Sequence, residues 1–114
     1  MQKFAGVVLE ELKQPLRLVE GVETPNLNKG QVLIEMAYSG ICYSQVMEVD
    51  GCRGEDRFLP HFLGHEGTGV VREIGEGVSK VRVGDRVILG WIKGQGIEAG
   101  GSKYNSPIGT IIAG

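Results

Sequence analysis

The sequence predicts a mainly β domain, a small barrel or sandwich of short strands with one or two short helices. Three observations predict it. Nineteen of 114 residues are glycine, against an average near ~7%. The apolar residues fall into short runs, several with period-two alternation, and turn signals recur at a spacing of roughly eight to twelve residues. The first strands run from Phe4 to Leu9 and from Leu16 to Glu20, separated by a charged turn carrying Pro15. Gly30-Gln31 opens the strongest strand, Val32 to Ser39, with Val32, Ile34, Met36 and Tyr38 on one face and Glu35 and Ser39 on the other. Gly40-Ile41-Cys42 ends it. Ser44 to Val49 fits a short helix with Ser44 as N-cap, because a serine hydroxyl can accept from the first free backbone N–H groups. Residues 50 to 64 read as loop, broken by Gly51, Gly54, Pro60 and Gly64. Gly69 to Gly75 is the next strand, followed by the alternating valines of Val78 to Val83, a Gly84-Asp85 turn, and a strand from Arg86 to Trp91. Beyond Trp91 the chain is glycine-rich and polar, ending on the apolar pair Ile111-Ile112.

At 114 residues the chain is expected to be one domain with a hydrophobic core of its own. The apolar share of 41% and charged share of 23% are those of a globular protein. A net charge of −2 with both signs interspersed argues against nucleic acid or an anionic membrane as partner. No apolar run is long enough to span a bilayer. Met1-Gln2-Lys3-Phe4 carries no export signal, so a cytoplasmic location is expected. In that compartment Cys42 and Cys52 read as thiols rather than as a structural disulfide.

The chemistry concentrates in Cys42 and in Gly64-His65-Glu66. A thiolate and an imidazole on glycine-flanked segments are donors that zinc prefers, and Glu66 adds an oxygen. Tyr43-Ser44 places a hydroxyl beside Cys42. A catalytic zinc takes three protein ligands plus one open position, and the chain offers no clear third ligand of that kind. A buried structural cysteine and a satisfied loop histidine are the alternative readings of the same residues. His61 and His65 have the i, i+4 spacing of helical zinc ligands, but Pro60 and Gly64 argue against a helix there, leaving His61 exposed or packed. Gly94-Gln95-Gly96-Ile97-Glu98-Ala99 matches the dinucleotide fingerprint in letters. That fingerprint needs a helix opening at the phosphate, which Gly100-Gly101-Ser102 and Pro107 do not allow.

Gly64-His65-Glu66-Gly67-Thr68-Gly69-Val70-Val71, Ile74-Gly75-Glu76-Gly77-Val78 and Val83-Gly84-Asp85-Arg86-Val87 follow one another in order, preceded by Gly40-Ile41-Cys42-Tyr43-Ser44. Together they resemble the medium-chain, zinc-dependent alcohol dehydrogenases over about Lys3 to Arg86. The resemblance implies an N-terminal catalytic domain with a GroES-like, partly open β-barrel over residues 1–114, the nucleotide-binding Rossmann domain lying outside it. It implies Cys42 and His65 as catalytic zinc ligands, Glu66 as an occasional ligand, and Ser44 as the hydroxyl that relays the substrate proton. Tyr43 would lie near cofactor or substrate. The implied cofactors are zinc and, in the full-length enzyme, NAD or NADP. The implied substrate is a small alcohol or carbonyl compound, and a homo-oligomer is left open. The 114-residue chain alone is expected to be inactive, because nothing in it binds NAD(P).

Three departures stand out. Gln45 occupies the position where the family places an aspartate that supports the histidine ligand. Residues 88 to 114 contain no cysteine, so the structural zinc lobe of many members is absent. The third catalytic ligand also lies outside the chain. A stand-alone GroES-like binding or assembly module, and a zinc-free relative of quinone reductase type, are the competing readings.

Overall fold

The computed structural model describes residues 2–52 and 54–113. The described residues form eight strands and one short helix: β1 (Lys3–Leu9), β2 (Arg17–Glu23), β3 (Val32–Ser39), α1 (Tyr43–Val49), β4 (His61–Phe62), β5 (Gly67–Ile74), β6 (Arg86–Leu89), β7 (Lys103–Ser106) and β8 (Gly109–Ile112). This is the mainly β class with a barrel that the sequence predicts. Among the described residues no helix is long and apolar enough to cross a membrane. The chain divides into two compact units, one of Met1–Pro25, Cys42–Gly64 and Gly101–Gly114, the other of Asn26–Ile41 and His65–Gly100.

The first unit is a closed barrel with strand order β1-β2-β7-β8-β4. Closure depends on β4, which is only two residues long: it pairs antiparallel with β1 through Val8–Phe62 and Leu9–His61, and parallel with β8 through His61–Ile112. Inside lie Val8, Val19, Val22 and Ile111, all buried, with Phe4, Phe62, Tyr104 and Ile108 packed around them. Phe4, Phe62 and Tyr104 form an aromatic trio with ring centroids 5.3 to 5.8 Å apart, within the range for favourable edge-on pairs. Gly6 makes room for that trio, since a Cβ there would collide with the Phe62 ring.

The second unit is built on an antiparallel sheet of order β3-β5-β6. Arg72 on β5 donates to the Glu35 carboxylate on β3 at 2.6 Å, and Val71 is fully buried. The β3 boundaries agree with the sequence expectation, but its two faces do not. Val32, Leu33 and Ile34 are all half-buried, whereas Met36 and Tyr38 are exposed. Irregular register between Leu33 and Ile34 and between Met36 and Tyr38 explains this, because each bulge interrupts the alternation on which the expectation rested. Of the valines from Val78 to Val83, Val78 and Val81 lie in irregular chain and Val83 in a turn, none of them in a strand. The turn at Gly84-Asp85 is present: Gly84 has φ +95 and the Arg82 N–H donates to the Asp85 carboxylate at 2.9 Å.

The glycine-rich end holds a hairpin that the sequence did not disclose. β7 and β8 pair from Lys103–Ile112 to Ser106–Gly109, and at the turn the Ser106 hydroxyl donates to the Gly109 carbonyl at 2.7 Å.

Candidate functional site

The residues singled out by the sequence sit at the starts of two elements, one in each unit. Cys42, not Ser44, is the N-cap of α1, in extended geometry at φ −103, ψ 150. The physical cause is Gln45, which stands at the third helical position and reaches back. Its Oε1 accepts from the Cys42 N–H at 2.7 Å, while the Gln45 N–H donates to the Cys42 carbonyl at 3.0 Å. A glutamine at that position completes a capping box. Ser44, half-buried, is therefore the second helical residue, and its hydroxyl is not used as the cap. Tyr43 is 74% exposed. Gln45 itself is buried, and its Nε2 has no hydrogen-bond partner among the described residues. With Oε1 bound to the Cys42 N–H, what Gln45 has left to offer a neighbour is chiefly a donor.

His65, half-buried, and Glu66, exposed, precede β5 directly. Gly64 has φ +113, a conformation glycine adopts without strain, and so it can set the direction of the chain into His65. Gly67 serves a different end. A Cβ there would lie 2.6 Å from the Tyr38 carbonyl oxygen, so this glycine is required for the close approach of β3 and β5. The ladder runs on past it, the Gly40 N–H donating to the Glu66 carbonyl at 3.0 Å. The Glu66 side chain folds over Gly40, where a Cβ would come within 2.5 Å of Oε1. Thus Cys42, Tyr43 and Ser44 are held together on α1, and His65 and Glu66 at the entry to β5. Gly94 to Ala99 is irregular with no helix after it, so it does not form a dinucleotide turn.

A further cluster escaped the sequence reading. His61 on β4 is 2% exposed. Its Nδ1 faces the Phe62 carbonyl oxygen at 2.8 Å, and its Nε2 lies 2.7 Å from Asp56 Oδ2 and 3.6 Å from Glu48 Oε2. Phe58 N–H donates to the other Asp56 oxygen at 2.9 Å. Burial alone would lower the His61 pKa, but the Phe62 carbonyl, the Asp56 hydrogen bond and the charges of Asp56 and Glu48 outweigh it and raise the value. For Asp56, burial pushes upward and the His61 hydrogen bond, the Phe58 N–H and the His61 charge bring the net shift downward. Of the alternatives for His61, packed is the one realised. Its carboxylate partners come from the helix and from the loop, thirteen and five residues away along the chain, and no periodic pattern connects them.

The family model described as alcohol dehydrogenase GroES-like domain matches residues 28–113. An alcohol dehydrogenase of Geobacillus stearothermophilus is 39% identical over 87 residues, covering 76% of this chain and 26% of that protein. An alcohol dehydrogenase class-3 of Dictyostelium discoideum is 45% identical over 83 residues, 73% of this chain and 21% of the relative. An S-(hydroxymethyl)glutathione dehydrogenase of Synechocystis is 38% identical over 86 residues, with 75% and 23% covered. The chain thus spans about a quarter of the length of these relatives.

Proposed function

Because this chain belongs to the alcohol dehydrogenase GroES-like domain family, we propose that residues 1–114 are the N-terminal, zinc-binding catalytic domain of a longer oxidoreductase. That enzyme moves hydride between an alcohol and NAD(P), with an aldehyde or ketone as the oxidised partner. The observation that carries the reading is that the family match includes Cys42, Ser44, His65 and Glu66. Their donor chemistry fits zinc: one thiolate, one imidazole and one carboxylate are the ligand types that ion prefers. Cys42 Sγ and the His65 ring would hold it, with Glu66 as an exchanging oxygen donor. When bound, zinc supplies a Lewis acid that polarises a substrate oxygen. Ser44 Oγ would accept the substrate hydroxyl's proton while passing its own hydrogen to the next acceptor, a relay rather than a store, and Tyr43, exposed on the same helix, is available to cofactor or substrate. Gln45 brings an amide in place of the family's carboxylate. Its Oε1 orders Cys42 through the backbone rather than adding negative charge to the site.

The third ligand and the nicotinamide-binding Rossmann domain belong to the remainder of the longer chain in this reading. The apolar residues Ile88, Trp91 and Ile92 of the second unit, each at least 74% exposed, support a further segment that covers them. The ligand pair favours the zinc type over a zinc-free relative, and an enzyme over a stand-alone module.

The test is cobalt substitution of the 114-residue chain. A thiolate-to-cobalt charge-transfer band that disappears in Cys42→Ser is the expected result; a protein without that band overturns the zinc assignment. Purified 1–114 is expected to give no alcohol-dependent reduction of NAD(P), and steady turnover would refute the division of labour between domains.

A further inference from the structure

The cluster on β4 calls for a cation. His61 Nδ1 faces a backbone carbonyl, which can only accept, so Nδ1 carries a hydrogen and donates it. Nε2 is then the nitrogen turned toward Asp56 and Glu48, two acceptors at 2.7 and 3.6 Å. Something positive has to occupy the point where these three atoms meet. In the cation-free chain it is the second imidazole proton. The same arrangement, with one ring nitrogen fixed by a carbonyl and the other aimed at carboxylates, is how proteins orient a metal-binding histidine.

We infer that Glu48, Asp56 and His61 form a cation site of their own, made of none of the proposed zinc ligands, that takes a first-row transition-metal dication in exchange for the Nε2 proton. Four observations meet here. The three ligand atoms lie within 4.8 Å of one another, and among the described residues they are the only such set. The histidine is buried and its tautomer is fixed, so the donor is pre-oriented. A cavity of about 490 Å³ adjoins the cluster and is lined by Leu12, Phe58 and Ile112 besides the ligands, which leaves an entry path and room for water in the open positions. Finally, the charges ask for it. Glu48, Glu55 and Asp56 all line this cavity against Arg57 and the imidazolium, leaving one negative charge uncompensated. A dication in place of one proton balances it.

Ligand atoms around such an ion sit roughly 3.4 Å apart for bonds near 2.1 Å. The Glu48–His61 separation already has that value within a few tenths of an ångström. Asp56 lies on the loop before β4 and has to retreat by roughly 0.7 Å to match that spacing. One nitrogen with two carboxylate oxygens selects transition ions over magnesium, which prefers an all-oxygen shell. Binding breaks the Nε2–H bond, forms a metal–nitrogen bond and releases one proton to solvent for each ion.

Calorimetric titration with Zn²⁺ of the full 114-residue chain carrying Cys42→Ser and His65→Ala tests this, because the thiolate and imidazole proposed to hold the catalytic zinc are then gone. One ion per chain is expected, with about one proton released, as read from the buffer dependence of the heat, and no competition from millimolar Mg²⁺. Glu48→Gln and Asp56→Asn are each expected to weaken binding more than tenfold. Both residues are less buried than His61, so these variants keep the test decisive if His61→Gln fails to fold. No zinc uptake by the double variant, or affinities within twofold of it in both Glu48→Gln and Asp56→Asn, overturns the site.

Discussion

Replacing Asp56 by asparagine removes the charge from the His61 pair and keeps its shape. In the parent, the imidazolium donates from Nε2 to Asp56 Oδ2 at 2.7 Å with side-chain exposures of 3% and 12%. A charge-assisted hydrogen bond of that kind contributes about 2 kcal/mol. The variant lets His61 lose its Nε2 proton and accept from the asparagine amide, so a neutral hydrogen bond of about 1 kcal/mol remains. The net loss is about 1 kcal/mol near pH 6. At an m-value of about 1.5 kcal/mol per molar urea, the midpoint falls by roughly 0.7 M.

The pH profile separates this pair from a generic packing defect. The folded-state pKa of His61 is raised above 6.5, so its contribution is complete below 6.5 and is lost as pH rises through the higher folded value. For Asp56 the folded value is lowered below 3.8; its contribution is present above 3.8 and is lost as pH falls through the lower value. The pair therefore stabilises most between about 3.8 and 6.5. Urea unfolding with a chelator present, from pH 5 to 9, should show parent stability declining with alkalinity and the asparagine variant declining less. Equal slopes for the two proteins would refute the account of His61 as a folded-state imidazolium.

Two further outcomes follow from local geometry. Gly69→Ala should cost about 1–3 kcal/mol, an overpacking penalty, because the new Cβ meets the Glu35 carbonyl and lies 2.6 Å from Ile34 Cγ2 on β3; a thermal midpoint unchanged from the parent would contradict the close strand approach. Gln45→Ala should lose about 1 kcal/mol of cap energy, whereas Gln45→Glu keeps the capping box and places a carboxylate next to Cys42. Chemical denaturation orders the three proteins, and equal stability of Gln45→Ala and the parent would mean that the Gln45 side chain does not stabilise the helix start.

How much of this was legible beforehand varied with the reach of each interaction. The strands Lys3–Leu9 and Val32–Ser39 and the turn at Gly84 were readable because alternation and turn chemistry are local. The hairpin of β7 and β8 was not, since its Lys-Tyr-Asn-Ser arm is polar and only Tyr104 joins the aromatic trio. The cap of α1 was misplaced by two residues because serine is the stronger cap by type, and the reciprocal bonding of Cys42 and Gln45 depends on backbone geometry. Cys42 and His65 were singled out through motif, and the zinc role proposed for them rests on that motif and on their donor chemistry. His61 was weighed against His65 alone, because helical spacing relates those two, whereas its real partners are related only through the folded chain.

The two-residue strand β4 gives the barrel a seam that is thin and chemically addressable. Leu9, His61 and Ile112 lie side by side across it, and the Ile112 N–H reaches back to the Pro60 carbonyl at 3.3 Å. The residue in the middle of that seam is His61, whose Nε2 faces Asp56 and Glu48. Whatever occupies His61 Nε2 also clamps the join, so acidity and metal supply become ways of tightening or loosening a barrel whose β1–β2 and β7–β8 seams are longer ladders of backbone hydrogen bonds.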